Sequence, residues 1–196
     1  MKIIDDIASL EALYDVASPA SLTKVVTRLS PQYVKWINTA RFCILTTVGP
    51  EGSDGSPRGD VGSVVRVVNE LTLWLPDWRG NNRMDSLRNI VRDGRVSLMF
   101  MVTGSANVIR VNGSAILSAD PVVTSTFEHL GTHPKSVIVI TMGEAYFQCA
   151  KAIMRSELWK GDSAVDLPTA GQLLKEQQGE FDAQAYDASN AKAKMW

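Results

Sequence analysis

The stretch at residues 71–90, Leu-Thr-Leu-Trp-Leu-Pro-Asp-Trp-Arg-Gly-Asn-Asn-Arg-Met-Asp-Ser-Leu-Arg-Asn-Ile, constrains this chain more than any other. Leu71, Leu73 and Leu75 alternate with Thr72 and Trp74, the period of a strand with two different faces. Pro76 is expected to end that strand by removing a ladder donor. Met84, Leu87, Ile90 and Val91 then fall at the spacing of one helical stripe, which predicts a helix over about 83–92. Asn81 or Asn82 is expected to cap it. A helix N-terminus presents unpaired N–H groups and the positive end of the dipole, which suits an anion. Arg79 and Arg83 flank this terminus, and guanidinium groups fork onto phosphate oxygens. Strand, polar loop and cationic helix start together read as a phosphate cradle, although the same spacing also fits a plain turn with solvated arginines.

The remainder of the chain supplies mostly strands. Residues 42–48, 61–68, 96–102, 107–118 and 136–142 are rich in Val, Ile, Leu and Thr and read as strands. Residues 49–57 are dense in Gly, Ser and Pro and read as a loop between antiparallel neighbours. Their glycines form neither GxGxxG nor a Walker A motif, which argues against a nucleoside triphosphate site. Residues 1–41 are expected to be helical, with Tyr33, Ile37 and Ala40 on one face and Ser30-Pro31 as helix start. Asp120-Pro121 opens a second candidate helix over 120–130. Over 145–159 the period changes, and Phe147, Ala150, Met154 and Leu158 predict a helical stripe. A linker over 161–168 leads to a short helix near 169–178, and the polar tail around Asp187 is expected to fray. Three units follow: an N-terminal helical segment at 1–41, a barrel at 42–160, and a linker, helix and tail at 161–196. Six or seven strands with few helices predict a mainly β, α+β fold, an antiparallel Greek-key barrel closed on itself.

Composition removes several functions. Of 196 residues, 45% are hydrophobic, enough for a real core, and the net charge of −1 gives no electrostatic footprint for nucleic acid. No apolar run approaches the roughly 20 residues of a membrane helix. Cys43 and Cys149 are too few for a disulfide framework and are expected to be buried, with the cytoplasm as the simplest compartment. His129 and His133 have an i, i+4 spacing that suits a metal, but Gly131 and Pro134 break the helix that this would need. No GxSxG elbow supports a Ser-His-Asp triad.

Several segments, in consistent order over about 30–175, carry a resemblance. They are Phe42-Cys-Ile-Leu-Thr-Thr47, Ser56-Pro-Arg-Gly-Asp60, Leu73-Trp-Leu-Pro-Asp77, Gly80-Asn-Asn-Arg-Met-Asp-Ser-Leu-Arg-Asn-Ile90, Arg95-Val-Ser-Leu-Met-Phe100, Arg110-Val-Asn-Gly113 and Glu144-Ala-Tyr-Phe-Gln-Cys-Ala-Lys-Ala152 with Arg155-Ser-Glu-Leu-Trp159. The chain resembles pyridoxamine 5′-phosphate oxidase-related flavoproteins, and within them a branch with the PRGD and GNNR signatures. The resemblance implies a split β-barrel that binds FMN at a homodimer interface. It implies that Arg58, with Gly59, and the pair of Arg83 with Asn81 and Asn82 hold the phosphate. It further implies that Trp74 and Leu75 run beside the flavin ring, that Asp60 serves the ribityl chain or pyrimidine edge, and that Arg155 and Trp159 reach over from the partner subunit. No catalytic residue and no metal ligand is implied. Related split barrels bind haem or a deazaflavin, and haem would require an axial ligand from only two histidines.

The leading expectation is an FMN-dependent oxidoreductase acting on a small molecule or a reduced nicotinamide. A non-catalytic flavin carrier or redox sensor is the first alternative, and a pyridoxamine or pyridoxine 5′-phosphate oxidase the second. Against the last, the arginine- and histidine-containing segment that closes the biosynthetic oxidase is replaced here by Leu167-Pro-Thr-Ala-Gly-Gln-Leu-Leu174.

Overall fold

The computed structural model describes residues 1–149, 151–161 and 166–192. Seven strands form one antiparallel sheet: β1 (Phe42–Gly49), β2 (Gly52–Gly59), β3 (Arg66–Asn69), β4 (Thr72–Asp77), β5 (Arg95–Met101), β6 (Asn107–Ser118) and β7 (Ser136–Cys149). Their order is β2-β1-β5-β6-β7-β4-β3, so β2 and β3 are edges and the sheet stays open. The expected closure is therefore not made by backbone pairing; the architecture is the split barrel, with a seam. The helices are α1 (Ile7–Glu11), α2 (Pro19–Thr23), α3 (Pro31–Thr39), α4 (Asp85–Arg92), α5 (Pro121–Thr124), α6 (Lys151–Arg155), α7 (Ala170–Gln178) and α8 (Ala183–Asn190).

The core lies inside the curved sheet. Leu45, Leu73, Leu75, Leu98, Phe100, Val111, Ile138 and Ile140 are fully buried, each at its strand's inward parity. Burial of one such side chain contributes about 2 kcal/mol. From outside, α3 adds Ile37 and α4 adds Ile90 to the same cluster. Pro31 opens α3 as expected, and Ser30 caps it, its side chain accepting from the Tyr33 N–H.

Several expectations are corrected by tertiary context. Residues 52–59 form an edge strand rather than a loop, because β1 offers an unpaired side in register from Phe42↔Gly59 to Gly49↔Gly52. An edge tolerates Pro57 and the glycines. For the same reason Pro76 does not end β4, which runs to Asp77. The β3 ladder reaches only Trp74, so beyond it β4 has a free edge where a missing N–H costs no bond. Residues 145–149 are strand, not helix, because β6 extends to Asn107 and pairs there with Cys149. Only α6 of the expected helix remains, and Ala150 of its stripe lies outside the described residues. Residues 1–41 are helical in three short pieces, the last starting at Pro31, whereas α5 stops at Thr124, short of the expected 130. Of the stripe on α4, Ile90 is buried and Leu87 packs against the core, while Met84 and Val91 are exposed. The polar tail is not frayed over 183–190, where α8 pairs with α7 through the Gly171 N–H and Asp187 Oδ1 at 2.8 Å. Residues 162–165 of the linker and 193–196 of the tail lie outside the described residues.

Candidate functional site: a cleft at the barrel seam

Side chains bridge the seam that the backbone leaves open. Arg58 on β2 donates from Nη1 to Asp77 Oδ1 on β4 at 2.6 Å. Both side chains are about four-fifths buried, at 19% and 21% exposure. One step along, Trp78 Nε1 donates to Asp60 Oδ2 at 2.8 Å, and Asp60 Oδ1 also accepts from the Val61 N–H. Above this clasp opens a cleft of about 1430 Å³, walled by β2, the β4–α4 loop, the start of α4 and residues 132–136, which lead into β7.

Four cations (Arg58, Arg79, Arg83, Lys135) and four aspartates (Asp54, Asp60, Asp77, Asp85) line the cleft. Net charge therefore does not decide its preference; the distribution of partners does. Every aspartate is engaged locally: Asp54 by the Ser86 hydroxyl at 2.6 Å, Asp60 by Trp78, Asp77 by Arg58 and Asp85 by Arg83. Arg79 and Lys135 have no ion-pair partner among the described residues. The Arg58 Nε is buried and has no hydrogen-bond partner among the described residues. A buried donor in that state costs about 1–3 kcal/mol, which an anionic ligand oxygen would recover. The residues present thus fit a phosphate-bearing ligand.

The start of α4 departs from expectation in detail. Neither Asn81 nor Asn82 caps the helix; the N-cap is Met84, left-handed at φ 62° and ψ 21°, with no side-chain cap bond. Asn81 instead accepts from the Arg83 N–H at 3.1 Å, and Asn82 is also left-handed at φ 60°. Two non-glycine residues in that region flank Arg83; the conformation costs Met84 on the order of 1–2 kcal/mol and costs asparagine, which adopts it more readily, less. Such strain persists only where surrounding contacts impose it, here Ser86 on Asp54 and Asn89 Nδ2 on Thr47 Oγ1 at 3.1 Å. Asp85 occupies the first turn, complements the dipole and holds Arg83 through Nε at 2.8 Å.

Of the residues singled out from sequence, Arg58, Gly59, Asp60, Leu75, Asn81, Asn82 and Arg83 line this one cleft. Trp74, Arg155 and Trp159 do not line it in this chain. Trp74 stands between its cross-strand neighbours Arg66 and Val139, Arg155 ends α6 in solvent, and Trp159 Nε1 donates to the Ser105 carbonyl at 2.7 Å. Sequence reading does not assign Asp77, Trp78, Ser86 and Lys135 to the site, and it considers His133 only as a metal ligand. The first three sit inside the quoted motifs, and their role shows only once the seam brings β2 against β4.

Cys43 lies directly across the ladder from Arg58 and is buried, whereas Cys149 is exposed, contrary to the expectation of two buried thiols. Burial pushes the Cys43 thiol from 9.0 up to about 12, with the Arg58 charge acting the other way. The neutral thiol's stabilising contribution therefore holds below pH 9 and drains as pH rises towards 12. An alkylating reagent at pH 8.5 is expected to modify Cys149 in the native protein and Cys43 only after denaturation, as peptide mass mapping would show.

A seven-stranded split barrel with an anion-fitting cleft at its seam defines the class. The chain belongs to the pyridoxamine 5′-phosphate oxidase family, whose model matches residues 29–149. No curated protein sequence matches it. Among solved structures, HupZ of Group A Streptococcus is 15% identical, over 62% of this chain and 95% of that one, with a TM-score of 0.52. A candidate pyridoxamine 5′-phosphate oxidase from Lactobacillus delbrueckii is 19% identical over 62% and 95%, with a TM-score of 0.50. At these identities the likeness is one of fold. No helix among the described residues is long and apolar enough to cross a membrane.

Proposed function

We propose that the seam cleft binds FMN and that the protein is a cytoplasmic FMN-dependent oxidoreductase acting on a small molecule or a reduced nicotinamide. The observation that supports this most directly is the buried, unpartnered Nε of Arg58 at the base of a cleft whose rim carries Arg79 and Arg83. Arg58 and Arg83 would hold the phosphate, with the Asn81–Asn82 turn presenting backbone N–H groups beside them. Asp60 is fixed by Trp78, so its remaining acceptor capacity is oriented for a hydroxyl or an N–H of the ligand. Leu75 forms part of the apolar floor. When bound, FMN supplies hydride and electron transfer chemistry, and the protein supplies binding, orientation and electrostatics.

We further propose a homodimer in which Arg155 and Trp159 approach the partner's cleft, since neither lines the cleft of its own chain. A monomer in light scattering that retains one FMN per chain would defeat that assembly.

The test of the cofactor is a visible spectrum of the purified protein, repeated after desalting and titration with FMN. Retained flavin absorption supports the reading, and a protein that stays colourless and does not bind added FMN overturns it. Arg83→Ala is expected to weaken FMN binding by about one to two decades, from loss of a charge-assisted hydrogen bond of roughly 1.5–3 kcal/mol. Unchanged affinity in a fluorescence-quenching titration would mean that the phosphate lies elsewhere.

A further inference from the structure

One wall of the cleft carries a histidine that the phosphate-binding reading does not use. His133 lines the cleft beside Thr132, Pro134 and Lys135. Its Nδ1 lies 2.6 Å from the Phe127 carbonyl oxygen. A carbonyl can only accept, so Nδ1 carries the proton, and in the neutral ring Nε2 is then a bare lone pair. Nε2 has no protein partner among the described residues.

The anchor itself is held from several directions. Arg66 on β3 donates from Nη2 to the Thr126 carbonyl at 2.7 Å and stacks its guanidinium over the Phe127 ring at 4.5 Å. His129 and Thr132 exchange backbone hydrogen bonds of 2.9 Å around a tight turn, in which Leu130 and Gly131 are both left-handed, at φ 50° and 74°. Leucine rarely adopts that conformation, so the turn is imposed by its surroundings and not by local preference. Immediately after His133, the ring of Pro134 is buried. The chain thus fixes the position of the Phe127 acceptor and, through it, the tautomer of His133.

We propose that His133 Nε2 is the hydrogen-bond acceptor that reads an N–H or O–H donor of the bound flavin, from the segment that leads into β7. The inference rests on the FMN reading of the cleft. It also explains the i, i+4 histidine pair without a metal: His129 builds the turn with its backbone, and His133 serves the cleft with its side chain.

The experiment uses 15N-histidine-labelled full-length protein at pH 8.5, above the ordinary titration range of imidazole. Long-range 1H–15N correlation reads the tautomer directly, and the two histidines are assigned with His129→Gln. The expected free protein shows His133 as the Nδ1–H tautomer, and saturation with FMN shifts its Nε2 resonance. His133→Asn keeps a donor for the Phe127 carbonyl but removes Nε2; it is expected to bind FMN about five- to tenfold more weakly. Inorganic phosphate, which lacks the flavin's donors, is expected to leave the Nε2 resonance in place. Equal FMN affinity in His133→Asn, or an Nε2–H tautomer in the free protein, would overturn the inference while leaving the cofactor reading intact. A wild-type protein that refuses FMN but keeps the Nδ1–H tautomer would instead remove the cofactor reading, and with it the flavin contact.

Discussion

A Gly113→Ala protein is expected to lose about 3–4 kcal/mol of stability, the largest effect anticipated from adding a single methyl group. Gly113 sits where the β6–β7 register shifts after Asn112. A Cβ built there would stand 2.1 Å from the Thr141 carbonyl oxygen and 3.1 Å from the Gly143 nitrogen. Both obstacles are backbone of the longest ladder in the sheet, so no side-chain rotation relieves them. Gly55 on β2 is the control: nothing lies within 4 Å of its Cβ position, and Gly55→Ala is expected to change stability by less than about 1 kcal/mol. Urea midpoints for the two variants, compared at constant m-value, give the answer. Equal midpoints would mean that the register shift is not where the structure places it.

The second large effect is expected at the seam. Arg58→Ala leaves Asp77 as an anion with 21% side-chain exposure and no partner, and should cost about 2–4 kcal/mol. It should also lower FMN affinity by about two decades, since the same side chain would supply a forked phosphate contact. The two roles separate in a double mutant. Arg58→Ala with Asp77→Asn removes the stranded charge, so stability should largely return while FMN binding stays weak. Recovery of both would make Arg58 a structural residue alone.

Much of the sheet was legible because its strands are β-branched and alternate. Residues 107–118 are β6 at both ends, and residues 42–48 are β1 short of one glycine. What local pattern misread were segments whose conformation is set by a neighbour. Residues 52–59 have the composition of a loop, yet β1 recruits them as an edge. Residues 145–149 carry a helical spacing, yet β6 is long enough to hold them extended. At the site, charge and position were readable and partnership was not. Arg58, Asp60 and Arg83 were picked out from their motifs, whereas Asp77 became visible only opposite Arg58, 19 residues away along the chain. The cap was misassigned because asparagine preference at N-caps is a local rule, and here the Asn81 side chain bonds Arg83 instead. The i, i+4 spacing points His133 towards a metal and is blind to the carbonyl that sets its tautomer.

The open edge between β2 and β4 has a thermodynamic consequence. Where other barrels close with a row of backbone hydrogen bonds, this one is bridged among the described residues by the Arg58–Asp77 ion pair and the Trp78–Asp60 hydrogen bond, and an occupant of the cleft would add to them. An occupant that binds the folded chain alone raises its stability by the mass-action term, about 2.7 kcal/mol at a hundredfold excess over Kd. The ligand would then be a structural member of the wall as well as a reagent, and the protein's lifetime in a cell would follow the supply of that ligand.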